Sequence, residues 1–238
     1  MDRHRYTDAC FVPEQAISAF TANEISAAVA QHWPFPTILV ISIRPERFQR
    51  LLSGAGPLGA FVTEIAGIDG RELDMDRLIA DGIYKAKNKM TRGQVACFMS
   101  HMKAWQYIVD HGLDNALILE DDCDLHPHPH TLGYVASCMR EIDFPWDVLY
   151  LGRNPVLCEH KRTLRAHVIE PGITWGLFAY ATSRTGAQRL LAEARMRPID
   201  EYVDVFVSTV AAVRRRVALS PIVFGFRSDE ISDTAGII

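Results

Sequence analysis

The sequence lacks a cysteine pairing pattern, a long apolar run and an excess of basic charge, and each absence excludes a class of protein. Its five cysteines are odd in number and include no CxxC pair, so neither a zinc cluster nor a complete disulfide framework is predicted. No apolar run approaches the roughly 20 residues of a membrane span. The amino terminus has no apolar signal-peptide core. These absences predict a cytoplasmic protein with at most peripheral contact to the inner face of a membrane.

Charge and length further restrict the class of protein and its domain organisation. A formal net charge of −4 argues against general nucleic-acid binding, which needs a basic face. The 238 residues are 48% hydrophobic and 23% charged, as expected for a globular protein with a sizeable core. There is no internal repeat, low-complexity segment or linker. We therefore expect a helical lead-in over residues 1–36 and a single α/β domain over residues 37–238.

The most informative stretch is an apolar segment that runs directly into acidic residues. Residues 116–119 read as a buried strand, and four carboxylates follow at Glu120, Asp121, Asp122 and Asp124. Open α/β sheets bind ligands at the carboxyl ends of their strands. Carboxylate oxygens suit Mn²⁺ or Mg²⁺, which usually also bind the phosphates of a substrate. The stretch by itself therefore predicts a divalent cation and an anionic ligand.

Two earlier strands are also followed by polar side chains. Residues 37–43 read as a buried strand that leads into Arg44 and Arg47, which suit either phosphate contacts or a solvated helix start with Arg47 paired to an acid. A second strand, near residues 60–66, ends in a glycine turn that holds Asp69. Asp69 is compatible with a ribose contact or a helix cap, and the pattern alone favours the cap.

Two helices complete the set of candidate residues. A helix is predicted from Thr91 to the stop at Gly112, and His101 lies on its apolar stripe, where a lone buried histidine is more often structural than catalytic. Pro198 marks another helix start, which carries Asp200 and Glu201. These two acids fit either an N-terminal cap or a catalytic base.

Taken together, these stretches resemble glycosyltransferase family 25, which contains bacterial lipooligosaccharide β-galactosyltransferases and collagen galactosyltransferases. The matching blocks are the Arg44 and Arg47 turn, the Ala-x-x-Asp-Gly turn at 66–70, the Cys-x-x-Ser-His helix at 97–101 with Trp105, and the Leu-Glu-Asp-Asp strand end at 119–122. Three later blocks, at 175–191, 198–201 and 231–234, are similar to the collagen-type members.

The resemblance implies an A-type nucleotide-sugar transferase fold with a mostly parallel central sheet flanked by helices. Its donor half would span about residues 37–125 and its acceptor half about residues 126–238. The implied reaction moves a hexose, with galactose expected, from a UDP-sugar to a hydroxyl of a glycan, lipooligosaccharide or peptide, with inversion. For Mn²⁺ or Mg²⁺ the firm expected ligand is Asp122, and Glu120 and Asp124 are further candidates that are equally compatible with ribose binding, a turn cap or exposure to solvent. The residues expected to contact the donor are Ile43, Arg44, Arg47, Asp69, Ser100, His101 and Asp121.

The resemblance also implies a catalytic base and an aromatic face for the sugar. Asp200 is the expected base, with Glu201 as the alternative, and Trp175 would offer a sugar-stacking face. Ser42-Ile43 stands where the family usually shows Asn-Leu, and Gln94 stands where a Glu is common. These departures leave open a catalytically silent, sugar-binding or partner-binding relative. A metal-dependent phosphoesterase also fits clustered aspartates, but it would need a nucleophile or two-metal constellation that the sequence does not show.

Overall fold

Continuous burial along the central strands builds a three-layer fold, with helices on both faces of a sheet. The computed structural model describes residues 22–85, 89–125, 128–154 and 160–225. Cys10, Cys158 and the block at 231–234 lie outside these residues. The helices are α1 (Ala22–His32), α2 (Pro45–Gly54), α3 (Met75–Ala80), α4 (Arg92–Asp110), α5 (Pro129–Glu141), α6 (Arg184–Met196) and α7 (Val203–Thr209). The strands are β1 (Ile38–Ser42), β2 (Val62–Ala66), β3 (Asn115–Glu120), β4 (Val148–Gly152), β5 (His160–Arg165), β6 (Val168–Pro171), β7 (Ala179–Ser183) and β8 (Arg216–Leu219).

The central strands are buried on both faces. In β1, Leu39 and Ile41 join one core cluster with side chains of α4, α6 and α7. Ile38 and Val40 join a second cluster with side chains of α1, α2 and α5. Successive strand residues point to opposite faces, so a continuous apolar run supplies both cores. The predicted α/β fold, with a sheet between helices, is confirmed, and the predicted lead-in includes a helix that packs on the sheet.

The eight strands form a single sheet in the order β2-β1-β3-β7-β4-β8-β6-β5. Three neighbouring pairs are parallel, namely β1–β2, β1–β3 and β4–β8. The other four, β3–β7, β4–β7, β5–β6 and β6–β8, are antiparallel. The sheet is therefore mixed, and the "mostly parallel" part of the prediction is corrected. Strand patterns predict burial but not direction, which depends on the connections.

The insertion of β7 decides what lies at each end of the sheet. Because β7 is antiparallel to β3, the residues that precede β7 lie at the same edge as the carboxyl end of β3. The acids after β3 and the aromatic segment before β7 therefore meet, although about 55 residues separate them in sequence. We call this edge the site edge. Within the described part of the chain, no helix combines the length and apolarity needed to cross a membrane.

Candidate functional site

Among the acids at the site edge, Asp121 is held in place by side chains of β1 and α2. The Ser42 hydroxyl donates to Asp121 Oδ2 at 2.5 Å, and Arg47 Nη1 lies 3.6 Å from Asp121 Oδ1. All three side chains are buried. Arg47 is thus both the acid-paired residue and a member of the site that its sequence position suggested. Asp121 acts as an anchor that fixes the guanidinium at the sheet edge.

Asp122 differs from Asp121, because negative charges surround it and one of its oxygens has no partner among the described residues. Its Oδ1 atom is buried and has no hydrogen-bond partner among the residues described. Burial, and then the negative charges of Glu120 and Asp121, raise the pKa of Asp122 from 3.8 to about 8, while Arg47 opposes the shift. A carboxylate that is buried without a partner costs free energy unless a cation or a proton neutralises it. Asp122 is therefore a site for one of these.

Helix α4 forms one wall of the site and positions Glu120. The Trp105 indole donates to the Tyr180 hydroxyl at 2.7 Å, and that hydroxyl lies 3.0 Å from His101 Nδ1. On the other side of the ring, His101 Nε2 lies 3.3 Å from Glu120 Oε1. Since the indole can only donate, the network favours Tyr180 donating to Nδ1 and Nε2–H donating to Glu120. The fully buried His101 therefore orients a carboxylate that is still 30% exposed.

The start of α4 explains one departure from the family pattern. Thr91 caps the helix, and Gln94 completes a capping box because its side chain accepts from the Thr91 N–H at 2.8 Å. An amide oxygen makes this bond as a carboxylate would, so Gln94 keeps the helix start intact without adding a charge. Nearly two turns further on, Ser100 Oγ accepts from the Ile68 N–H at 2.8 Å and ties the glycine turn after β2 to α4.

Two cavities meet at the acidic residues. The small cavity, of about 70 Å³, lies between β1 and α4 and is lined by residues that include Ile43, Arg47, Ser100, His101 and Asp121. The large cavity, of about 390 Å³, lies between α4 and the segment before β7. Cys97, Glu120 and Asp122 line both cavities. The site is thus a two-part cleft with Glu120 and Asp122 at its junction.

The far wall of the large cavity contains an acid that the sequence analysis missed. Trp175 and Tyr202 face each other with ring centroids 6.3 Å apart, and both are more than one third exposed. Beside them, Asp204 accepts from the Gly176 N–H at 3.0 Å through Oδ2 and from the Val205 N–H at 2.8 Å through Oδ1. Burial raises the pKa of Asp204, and the charge of Glu120 adds to the shift. A lone acid within the apolar segment 203–207 was the available signal.

Several predicted site residues lie away from the junction. Asp200 lies 3.6 Å from Arg197 Nη1 and Glu201 accepts from Arg197 Nη2 at 2.7 Å, and neither lines the two cavities. Asp124 and Arg44 line neither cavity. Asp69 takes the predicted capping role, since it accepts from the Arg71 N–H at 2.9 Å. The Arg71 side chain also bonds to this carboxylate and lowers its pKa.

Comparison with known proteins identifies the family. The chain matches the model described as glycosyltransferase family 25 (LPS biosynthesis protein) over residues 35–207. The chain therefore belongs to glycosyltransferase family 25, and the resemblance in the sequence is confirmed. The match includes Glu120, Asp122 and Asp204 but ends before β8.

The names of the relatives include both inactive proteins and proteins with a stated activity. One, from Bos taurus, is named "Probable inactive glycosyltransferase 25 family member 3" and is 30% identical over 72% of this chain and 31% of its own length. Another, "Procollagen galactosyltransferase 1" from Danio rerio, is 30% identical over 72% of this chain and 31% of its own length. This chain spans about a third of the length of both relatives.

A solved structure, of mannose-1-phosphate geranyltransferase from Thermus thermophilus, aligns with 79% of this chain and 75% of its own. Its TM-score is 0.39 at 12% identity, a likeness too weak to support a conclusion.

Proposed function

We propose that this domain is a metal-dependent inverting hexosyltransferase that transfers galactose from a UDP-sugar to a hydroxyl of a glycan, lipooligosaccharide or peptide. The observation that carries the proposal is the junction of two cavities at Glu120 and Asp122. A transferase needs one compartment for the nucleotide donor and another for the acceptor, with the reacting atoms between them. Family membership and the name of the Danio rerio relative support the sugar chemistry.

The small cavity suits the nucleotide and its diphosphate. Arg47 presents a guanidinium there that Asp121 holds in place, and arginine makes bidentate contacts with phosphate oxygens. Ile43 offers an apolar edge to the base, and Ser100 fixes the turn that carries Asp69. With a volume of about 70 Å³ this cavity holds only part of a donor. The hexose would extend across the junction into the large cavity.

Asp122 and Glu120 fit the divalent cation that this reaction implies. Asp122 has a buried oxygen without a partner among the described residues, Glu120 is partly exposed beside it, and both line the two cavities. Mn²⁺ or Mg²⁺ bound there would neutralise the charge that develops on the departing diphosphate. Asp122 must release its proton to act as a ligand, so cation binding and proton release are coupled.

For the general base, Asp204 is better placed than Asp200 or Glu201. It shares the large cavity with Asp122 and with the aromatic pair Trp175 and Tyr202, whose faces suit a sugar ring. An acceptor hydroxyl held there would lose its proton to Asp204 while its oxygen attacks the anomeric carbon from the face opposite the diphosphate. The raised pKa brings this carboxylate closer to the pH at which it works.

The base assignment has a direct test. Asp204→Asn should keep UDP binding and lower transfer by roughly 10²- to 10⁴-fold, because general base catalysis contributes about that much. Asp200→Asn should retain most of the transfer, since Arg197 already pairs with Asp200 outside the cavity. Single-turnover transfer to acceptor and calorimetric binding of UDP would be measured for both variants. The reverse result would return the role to Asp200.

The competing function is a catalytically silent relative that binds a sugar nucleotide or a partner. The names of the Bos taurus and Homo sapiens relatives, which include "inactive", are the observation in its favour. This chain nevertheless combines an open cavity with a buried Asp122 oxygen that no described residue satisfies. A relative that only binds a partner needs neither, and one that binds a sugar nucleotide without reaction does not need the unsatisfied oxygen.

One experiment separates the two functions. The protein would be incubated with Mn²⁺, a panel of UDP-hexoses and candidate acceptors, and UDP release would be measured. We expect release with UDP-galactose, loss of release in Asp122→Ala, and wild-type release in the control Asp76→Ala, which alters an exposed acid on α3. Binding of UDP-hexose without release would support the silent relative. Release that persists in Asp122→Ala would rule out the metal assignment.

A further inference from the structure

The α4 wall contains two possible metal ligands, Cys97 and His101, that the proposed transferase chemistry does not use. Cys97 and His101 are one helical turn apart, so their side chains lie on the same face of α4. That face is directed at the end of β3. One ligand atom each from Cys97, His101 and Glu120 lies within 4.8 Å of the others.

We propose that Cys97, His101 and Glu120 form a Zn²⁺ site that shares Glu120 with the Mn²⁺ or Mg²⁺ site at Asp122. The donor set consists of one sulfur, one imidazole nitrogen and one carboxylate oxygen. This combination suits zinc, whereas Mg²⁺ and Mn²⁺ prefer all-oxygen surroundings. Three protein ligands also match zinc sites that keep one position open. Here the open position would face the cavities, because Cys97 and Glu120 line both of them.

The distances fit a tetrahedral ion with little movement. With bonds of about 2.0 to 2.3 Å, ligand atoms around tetrahedral zinc lie roughly 3.4 to 3.6 Å apart. His101 Nε2 and Glu120 Oε1 are already 3.3 Å apart. The Cys97 sulfur is within 4.8 Å of both, so it would need to approach by at most about 1.3 Å.

The surroundings orient the ring and supply negative charge. The Tyr180 hydroxyl lies 3.0 Å from His101 Nδ1, and zinc-bound histidines usually make such a contact through the other ring nitrogen. If Nε2 binds the metal, the proton is on Nδ1, and this N–H donates a hydrogen bond to the Tyr180 oxygen. Burial, and then the negative charges of Glu120, Asp204 and Asp122, raise the pKa of the Cys97 thiol, so zinc binding would have to release its proton. The same three negative charges would attract a dication.

Cobalt(II) is a suitable probe because it substitutes for zinc and absorbs light when a thiolate binds it. We expect one Co²⁺ per chain with a thiolate-to-cobalt absorption band, and displacement of that band by one equivalent of Zn²⁺. Cys97→Ser should abolish the band and weaken Zn²⁺ binding by roughly tenfold or more. Cys138→Ser is the matched control, because Cys138 is a buried cysteine on α5 that packs in the other core cluster.

A second variant separates this site from the transferase site. Asp122→Asn should weaken Mn²⁺ binding and leave the cobalt band unchanged. Circular dichroism would establish that each variant folds, and His101→Asn would serve if Cys97→Ser does not. The proposal is wrong if wild type shows no cobalt band, if Cys97→Ser retains it, or if Asp122→Asn abolishes it. The outcome does not depend on UDP release, so failure of the proposed function would leave this test valid.

Discussion

The two edges of the sheet each bury an aspartate, and the two residues differ in how completely they are satisfied. At the edge opposite the site, Asp147 accepts from Arg189 at 2.6 and 2.8 Å and from the Arg214 N–H at 2.7 Å. At the site edge, Asp122 leaves a buried oxygen without a partner among the described residues. Burial alone therefore does not distinguish a structural carboxylate from a functional one. The number of hydrogen-bond donors around it does.

The comparison assigns each edge a different role. Asp147 joins the start of β4 to α6 and to the segment before β8, so it stabilises the folded chain. Asp122 lies among like charges, so it destabilises the fold until a cation or a proton arrives. Functional sites commonly store such costs, which the rest of the structure must offset.

The largest expected effect comes from removing the satisfied carboxylate. Asp147→Ala would leave the Arg189 guanidinium and the Arg214 N–H without their partner, and we expect a loss of about 3 kcal/mol in the free energy of unfolding. Urea unfolding at neutral pH would measure it. Asp143→Ala is the matched control, because Asp143 is exposed and pairs with Arg165, and exposed pairs contribute less than about 1 kcal/mol. Equal small losses in both variants would mean that the edges do not differ as described.

The second prediction is a gain in stability at the site edge. The unfolded chain ionises Asp122 near pH 4, whereas the folded chain holds the proton until about pH 8. The folded state binds more protons between these values, so the contribution of Asp122 to stability falls as pH rises from about 4 to about 8. Asp122→Asn removes this loss. We expect the variant to match wild type near pH 4 and to exceed it by at least about 2 kcal/mol above pH 8 in metal-free buffer.

Thermal unfolding across this pH range would test the gain, and Mn²⁺ provides the complementary measurement. A cation at 100 times its Kd should stabilise wild type by about 2.7 kcal/mol and have little effect on Asp122→Asn. If Asp122→Asn is less stable than wild type at pH 8.5, Asp122 is satisfied after all. The distinction from Asp147 would then disappear.

Features that depend on residues adjacent in the chain were predictable from the sequence, whereas features that depend on contacts between distant residues were not. The acidic end of β3 was predictable because an apolar strand and its carboxylates are adjacent in the chain. The anchoring of Asp121 was not, because Ser42 and Arg47 come from a different strand and helix. The charged strand β5 was missed because His160–Arg165 shows no apolar alternation.

The predicted helix start at Pro198 shows how local patterns can mislead. Asp200 and Glu201 follow Pro198 in a pattern typical of a helix start, but α7 begins at Val203. Asp204 enters the cavity because the antiparallel β7 brings Gly176 to the site edge, where its N–H donates to Asp204. Strand direction depends on contacts between distant parts of the chain. No local pattern contains that information.

The smallest expected effect concerns Asp121, which lies between the two extremes. Its partners include Arg47 Nη1, 3.6 Å from Oδ1, and the Ser42 hydroxyl, which donates to Oδ2 at 2.5 Å. Ser42→Ala would remove a buried hydrogen bond to a charged group, and we expect a cost of about 1.5 kcal/mol. The loss should be larger than in Ser53→Ala, whose hydroxyl donates to a backbone carbonyl on the exposed face of α2. Denaturant midpoints of the two variants would measure the difference.

Ser42→Ala should also affect the site, since Asp121 holds Arg47 against the small cavity. A less constrained Asp121 would let the guanidinium move, so we expect weaker UDP binding with little change in Mn²⁺ binding, because Asp122 is untouched. Calorimetric titration with UDP and with Mn²⁺ separates the two effects. If the binding of UDP and the binding of Mn²⁺ were weakened equally, Asp121 and Asp122 would act as one unit. The division of the acidic cluster into an anchor and a cation ligand would then be wrong.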